Sequence, residues 1–215
     1  MDFVWEHRGD VLDGFLMTIR LTLVSGVLSM LIGTVLAVMR VGPIPPLRWL
    51  GTTYVTLVRN TPLTLIFVFT TFGLPRMDVR LEFVTFANIA LTVYTSAFVC
   101  EAVRSGVNSV APGEIEAARA IGLRFVQVMR FVVLPQALRA VVAPLGNVFN
   151  ALLKNTSVAV AFSVVEANSM LRRLQNANGA ATWPLLITTA VGYMLLAAVL
   201  FGIVRLIERR LAVAR

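Results

Sequence analysis

The chain has 215 residues, of which 58% are hydrophobic and 14% are charged, and its formal net charge is +8. This composition is too apolar for a soluble domain of this length and predicts one membrane domain. The positive charge does not indicate nucleic-acid binding here, because the arginines gather at the ends of apolar segments, where they fix membrane topology. The single cysteine, Cys100, and the single histidine, His7, exclude an internal disulfide and a cysteine-based metal site.

Five apolar segments are long enough to cross a membrane as helices, since about 20 residues span a bilayer core. The predicted spans cover residues 14–39, 50–74, 83–103, 137–165 and 183–204. Polar residues interrupt the second span at 59–62 and the fourth at 154–157. We therefore expect an extracytoplasmic N-terminal tail (1–13), a single transmembrane domain (14–210) with a loop at 112–135, and a basic tail (211–215).

The distribution of arginines predicts the orientation of the chain. With the N-terminus outside, eleven arginines lie in the cytoplasm and five outside, and positive residues belong inside. The eleven are Arg40, Arg48, Arg104, Arg119, Arg124, Arg130, Arg139, Arg205, Arg209, Arg210 and Arg215, and the five are Arg8, Arg76, Arg80, Arg172 and Arg173. We expect the N-terminus outside, and the C-terminus and the 112–135 loop in the cytoplasm.

The stretch from Glu114 to Pro135 is the one polar, helix-forming part of the chain. Its first half predicts a helix that ends at Gly122, a residue suited to left-handed backbone. Its second half begins at Leu123 and is expected to stop at Leu134-Pro135, because proline cannot continue a helix. Two short helices joined in this way would expose Ala117, Ala118 and Gly122 as a shallow surface on which another protein could dock.

The spacing of residues in this stretch resembles the EAA loop of ABC importer permeases. Glu116-Ala117-Ala118 is followed by three residues and Gly122, then by nine residues and Val132, and finally by Leu134-Pro135. The only departure from the family pattern is Val132, where the family has isoleucine. The resemblance implies a coupling helix that inserts into a cytoplasmic ATPase, with these residues as the coupling set: Glu116, Ala117, Ala118, Gly122, Leu134 and Pro135.

The two polar interruptions form the candidate substrate pathway. Charges inside a membrane are costly and usually face a bundle interior or a water-filled cavity. Arg59-Asn60-Thr61 and Lys154-Asn155-Thr156-Ser157 each place a cation beside amide and hydroxyl groups, which are donors for a substrate carboxylate. The alternative is that Arg59 is interfacial and that Lys154 caps a broken helix. Both clusters resemble motifs of polar amino-acid importer permeases, R-x-T-P-L and L-K-[ND]-T-S.

Glu101 and Arg104 are spaced so that they can pair on one face of a helix. We expect a structural ion pair at the cytoplasmic edge of the membrane, and a contribution to a gate is the alternative.

The resemblance covers most of residues 14–210. Within the family, the sequence is most similar to the glutamate/glutamine uptake permeases of actinobacteria. It implies an all-α membrane protein with the type I ABC importer permease (MetI-like) fold, five transmembrane helices and a bacterial cell membrane location. The implied partners are a cytoplasmic ABC ATPase subunit, a second permease subunit (a sister chain or an identical copy), an extracytoplasmic amino-acid-binding protein and membrane lipid. The sequence has no phosphate-binding loop, so we expect no enzyme activity and no bound cofactor, with ATP hydrolysed by the partner subunit.

Two other classes of function remain open. An ATP-independent secondary transporter or channel fits the two interrupted spans loosely, but five spans give no even repeat and no carboxylate is placed for ion coupling. A membrane scaffold is the third possibility. The sequence leaves the substrate open among glutamate, glutamine, aspartate and a basic amino acid.

Overall fold

The structure is a computed structural model that describes residues 2–212, and within this range every regular element is helical. Arg215, counted above among the cytoplasmic arginines, lies outside the described residues, as do the other two residues after Ala212 in the predicted basic tail.

Ten α-helices follow one another, and short π- and 3-10-helical segments extend several of them. They are α1 (Asp2–Glu6), α2 (Arg8–Val41), α3 (Pro45–Arg59), α4 (Leu63–Val68) with a π turn (Phe69–Gly73) and a 3-10 turn (Leu74–Met77), α5 (Phe83–Asn108), α6 (Pro112–Ala120), α7 (Phe125–Val128) with a π turn (Met129–Val133), α8 (Leu134–Asn155) with a 3-10 helix (Thr156–Phe162), α9 (Ala167–Ala177), a 3-10 turn (Gly179–Ala181) and α10 (Thr182–Ala212).

In the part of the chain that the structure describes, four helical stretches are long and apolar enough to cross a membrane, and a bent pair of helices makes a fifth. The four contain the first, third and fifth predicted spans and most of the fourth: Arg8–Val41, Phe83–Asn108, Phe125–Phe162 and Gly179–Leu211. Because α1 and the start of α2 cover nearly all of residues 1–13, the predicted N-terminal tail is helical.

The second predicted span is the bent pair, and the angle between α3 and the helix from Leu63 to Met77 is 102°. Pro62 lacks an N–H and disfavours helical backbone in the residue before it. The Thr61 hydroxyl donates to the Leu57 carbonyl at 2.8 Å, which satisfies an acceptor at the end of α3. The predicted interruption at 59–62 is confirmed, whereas the size of the bend was not foreseen.

The fourth predicted span changes its helix type at 154–157 instead of breaking. The α-helix ends at Asn155 and continues as a 3-10 helix from Thr156. The hydroxyls of Thr156 and Ser157 donate to the carbonyls of Leu153 and Lys154, both at 2.7 Å. The hydroxyl groups therefore hydrogen-bond to the backbone where the helix tightens.

The expectation that a helix stops at Leu134-Pro135 is wrong, because α7 and α8 form one continuous span across it. The π turn before Leu134 widens the helix, and the Leu134 N–H donates to the carbonyl of Met129. A proline ring clashes with the carbonyl four residues earlier in a regular α-helix, and the wide turn removes this conflict. A second π turn, Phe69–Gly73, precedes Pro75 in the same way.

Helix α5 lies at the centre of the bundle, between α2 and α8. The fully buried side chains of Leu21, Phe67, Leu91 and Leu152 form the largest core cluster. At Gly33 the backbones of α2 and α5 come so close that a Cβ atom would lie 2.6 Å from Val99. This glycine therefore allows the close helix packing that positions α5.

A buried carboxylate fixes the start of α9. Glu166 accepts hydrogen bonds from the N–H groups of Asn168 and Ser169 and from the Tyr193 hydroxyl, each at 2.9 Å. The side chain is fully buried, and this burial raises the pKa of the Glu166 carboxyl above its ordinary value. Glu166 therefore connects α9 to α10.

Candidate functional site

Gly122 ends α6 with the left-handed backbone that the sequence predicts. Its φ angle is +88°, its N–H donates to the Arg119 carbonyl at 2.9 Å, and the Leu123 N–H donates to the Ala118 carbonyl at 3.1 Å. These two bonds are the pattern of a Schellman motif, which satisfies the last carbonyls of a helix. The turn sends the chain from α6 into α7.

The predicted coupling residues, which include the docking surface, are exposed except at one position. Glu116, Ala117, Gly122, Leu134 and Pro135 are all exposed. Ala118 was expected on this surface, but it is only 6% exposed. It packs in a cluster with Val110, Val128 and Val133. Ala118 is small because it lies under the helix, where a larger side chain would displace α6.

Three large apolar side chains beside this surface are also exposed, and the sequence analysis did not single them out. Ile121 is 80%, Phe125 is 66% and Val126 is 71% exposed. They flank the Gly122 turn. Such apolar exposure in a loop between two spans favours a protein contact.

A polar contact joins the beginning of the loop to the beginning of α8. The Gln136 amide donates to the Glu114 carboxylate on α6. Together with the cluster under Ala118, this contact attaches α6 to the span that follows it.

Glu101 is the centre of a cluster of arginines at the predicted cytoplasmic half of the bundle. The predicted pair with Arg104 is confirmed, with Arg104 Nη2 at 2.9 Å from Oε2. Arg40 Nη1 lies 2.5 Å and Arg59 Nη1 lies 3.5 Å from Oε1 of the same carboxylate. One carboxylate therefore joins α2, α3 and α5, and the sequence predicted only the contact within α5.

Arg59 lines a pocket of about 290 Å³ with Val55, Thr56, Asn60, Phe98 and Glu101. Its guanidinium lies over the Phe98 ring, 5.5 Å from the centroid, and its side chain is 45% exposed. Asn60 lines the same pocket, as the sequence predicts for a polar cluster. Thr61 is not among the lining residues, and its hydroxyl binds the carbonyl of Leu57 instead.

A second pocket of about 360 Å³ lies between α5 and α8. Its lining residues are Tyr94, Thr95, Phe98, Asn147, Val148, Ala151, Leu152 and Asn155. Of the predicted pathway residues in the fourth span, only Asn155 belongs to this set. Asn147 lies two turns earlier on α8 and was missed, although the spacing of residues 147, 151 and 155 places them on one helix face.

Lys154 lies on the surface of this chain near the end of α8, within the helical stretch Phe125–Phe162 that is long enough to cross a membrane. The Lys154 side chain is exposed, and within residues 2–212 no carboxylate lies close enough to pair with it. An ammonium group within a membrane span is costly next to lipid, so it requires water or another protein chain.

Within the described residues, no group of three or more histidine, cysteine or acidic side chains is arranged to hold a metal ion. The polar groups that line the two pockets are amides, hydroxyls and the ion pair of Arg59 with Glu101. They are suited to binding a small polar solute through hydrogen bonds and charge.

Taken with the spans, these pockets and the exposed loop define a multi-pass helical membrane protein with cavities between its helices. A family comparison gives the same class. The chain belongs to the family of binding-protein-dependent transport system inner membrane components, whose model matches residues 29–213.

Named relatives and a solved structure share most of the chain. The glutamate transport system permease protein GluC of Corynebacterium efficiens is 40% identical over 209 residues, which are 91% of this chain and 92% of the relative. The probable glutamine ABC transporter permease protein GlnM of Bacillus subtilis is 42% identical over 158 residues, or 74% of this chain and 73% of that one. A crystal structure of an amino acid ABC transporter has a chain with a TM-score of 0.90 and 26% identity, and 96% of each chain is covered. The predicted type I ABC importer permease fold is confirmed.

Proposed function

We propose that this chain is the transmembrane permease subunit of an ATP-driven ABC importer for polar amino acids, with glutamate or glutamine as the substrate. The observation that carries this proposal is the 40% identity with a glutamate transport permease over nine tenths of both chains. The relative named for glutamine supports the same pair of substrates.

The exposed loop is the proposed contact with the ATPase subunit. Glu116, Ala117 and Gly122 lie at its surface, and Leu134 and Pro135 begin α8 behind it. The exposed apolar side chains beside the turn add area that a partner protein would bury. Ala118 supports this surface from below. In this arrangement the partner subunit hydrolyses ATP and this chain binds no cofactor.

A second permease subunit is the proposed neighbour of Lys154. The two pockets open on the surface of this chain, and the exposed ammonium group of Lys154 within a membrane span needs a polar environment. A sister chain or an identical copy would cover this face and enclose a water-filled pathway. An extracytoplasmic amino-acid-binding protein would deliver the substrate, and lipid would cover the exposed apolar face of α10.

The proposed mechanism is a shift between two states of the permease pair. Closure of the ATPase subunits would move α6, and the Gly122 turn and the Ala118 cluster would transmit this motion to α8. A ligand or partner shifts such an equilibrium only through contacts that differ between the two states. The proposed substrate contacts are Arg59, Asn60, Lys154 and Asn155. The hydroxyls of Thr61, Thr156 and Ser157 donate to backbone carbonyls, so their proposed role is to hold the helix ends along the pathway.

The test is reconstitution of the chain with its ATPase, its second permease and its binding protein in liposomes. We expect glutamate or glutamine to stimulate ATP turnover and to accumulate in the liposomes only when ATP is present. Uptake that continues without the ATPase under an ion gradient would instead show a secondary transporter.

A further inference from the structure

The two pockets described above share one side chain, that of Phe98. Along α5, Tyr94 precedes Phe98 by about 6 Å and Glu101 follows it by about 4.5 Å, at 1.5 Å per residue. With the N-terminus outside, α5 runs towards the cytoplasm. The pocket that contains Arg59 is therefore the inner one, and the Phe98 ring stands between the two.

The two pockets differ in charge. Amides, hydroxyls and apolar groups line the outer pocket, and no charged side chain is among its lining residues. The inner pocket is lined by Arg59 and by Glu101, whose carboxylate also pairs with Arg40 and Arg104 outside the lining. The three arginines and one carboxylate of this cluster have a formal charge of 3 − 1 = +2. An anionic group would gain stabilisation by moving from the outer pocket to the inner one.

Arg59 is the arginine of this cluster whose guanidinium N–H groups are available to a substrate carboxylate. Oε1 of Glu101 already binds Arg40 at 2.5 Å, and Arg59 stands further away at 3.5 Å. Within residues 2–212 the contacts of its guanidinium are this ion pair and the Phe98 ring, and it donates no hydrogen bond. A guanidinium has five N–H donors in a fork that matches a carboxylate.

The Phe98 ring is held in place between the pockets by two contacts. Its centroid lies 4.9 Å from that of Tyr94 on the outer side, and Arg59 lies 5.5 Å from it on the inner side. The ring is only partly buried, so it lines the cavities and is not part of the closed core. A carboxylate that drew Arg59 away would leave the ring with the Tyr94 contact alone.

We propose that the pocket at Arg59 is a cytoplasm-side station for the carboxylate group of the transported amino acid, and that the Phe98 ring separates it from the outer pocket. This inference rests on the proposed function, because it assumes that an amino acid crosses through this face of the chain. It adds an order of events: the substrate occupies the outer pocket, passes Phe98 and then meets Arg59.

The barrier is tested by efflux from liposomes that contain the complete importer complex and are preloaded with radiolabelled glutamate, in the absence of ATP. We expect Phe98→Ala to raise the efflux rate on the order of tenfold. Phe201→Ala is the matched control, because Phe201 is also partly exposed and lies under an arginine, Arg205, at 5.2 Å, but lines neither pocket. Efflux from Phe98→Ala liposomes at the rate of the wild type would overturn the proposed barrier.

The carboxylate station is tested in the Phe98→Ala background by comparing efflux of glutamate with efflux of arginine. Adding Arg59→Gln should lower the glutamate-to-arginine ratio on the order of tenfold, because it removes one positive charge from the inner pocket. Arg59→Lys keeps the charge and should retain most of the preference, and it also controls for a loss of folding. If Arg59→Gln leaves the ratio of glutamate efflux to arginine efflux unchanged, the proposal of a carboxylate station at Arg59 is refuted.

These outcomes are distinguishable from failure of the proposed function. Efflux is measured without ATP, whereas the importer assignment depends on ATP-driven uptake by the wild-type complex. A wild type that accumulates substrate, together with a Phe98→Ala variant that does not leak, refutes the inference and leaves the importer assignment in place.

Discussion

Substitution of Gly122 by valine tests whether the turn after α6 transmits motion from the ATPase. The φ angle of +88° lies in the left-handed region, where a residue with a Cβ atom costs about 1–2 kcal/mol and a β-branched residue costs more. Since RT is about 0.59 kcal/mol, a cost of about 1–2 kcal/mol lowers the population of this turn relative to others by about 5- to 30-fold, and valine should lower it further. Nothing lies within 4 Å of a Cβ atom built at Gly122, so the effect comes from the backbone and not from a clash.

Amino-acid uptake and ATP turnover measured in the same liposomes give the number of molecules transported per ATP. We expect this ratio to fall in Gly122→Val, by at most the factor by which the turn becomes less populated, with unchanged insertion of the chain into the membrane. Gly113→Ala is the control, because Gly113 lies in α6 with open space around it, and alanine favours a helix over glycine by about 0.5–1 kcal/mol. If Gly122→Val transports as much per ATP as the wild type, the reasoning about this turn is wrong.

Substitutions at three further residues test the charged groups. Glu101→Gln leaves three arginines without their shared carboxylate. We therefore expect the free energy of unfolding in detergent to fall by about 1–3 kcal/mol. An unchanged melting temperature would contradict the central role of this cluster. Lys154→Met should lower uptake on the order of tenfold without loss of insertion, whereas Lys154→Arg should retain uptake, and equal uptake by all three proteins would place Lys154 outside the pathway. For Glu166, burial raises the pKa in the folded chain, so its contribution to stability is present at low pH and is lost as pH rises through that pKa. Glu166→Gln should therefore flatten the decline in melting temperature as the pH rises above about 4.5, the ordinary value for glutamate; a parallel decline in both proteins would contradict this.

Local sequence patterns predicted the features that depend on neighbouring residues. The left-handed turn at Gly122 follows from the end of a run of helix-forming residues, and the Glu101–Arg104 pair follows from helix periodicity. Proline was less informative. Pro62 does end a helix with a bend of 102°, but Pro135 does not, because a π turn accommodates it. The residues alone do not show which of these two solutions a chain adopts.

Local sequence patterns do not predict contacts between residues that are distant in the chain. Arg40 and Arg59, which contact Glu101, precede it by 61 and 42 residues in the sequence. No local spacing of residues indicates these two contacts. The exposed or buried state of Ala118 likewise depends on which side of α6 meets the valines of the following span. The roles of Arg59 and Lys154 in the pathway are predictions that the experiments above address.

The π turn at Met129–Val133 has a consequence for rotation about the helix axis. A π turn places an additional residue in one turn, and each residue of an α-helix advances about 100° around the axis. The π turn absorbs this additional residue, so α6 and α7 keep the orientation relative to α8 that a regular helix one residue shorter would give them. If the same residues wound as a regular α-helix, α6 and α7 would rotate by about 100° relative to α8. The winding of this short stretch thus determines in which direction the exposed loop points.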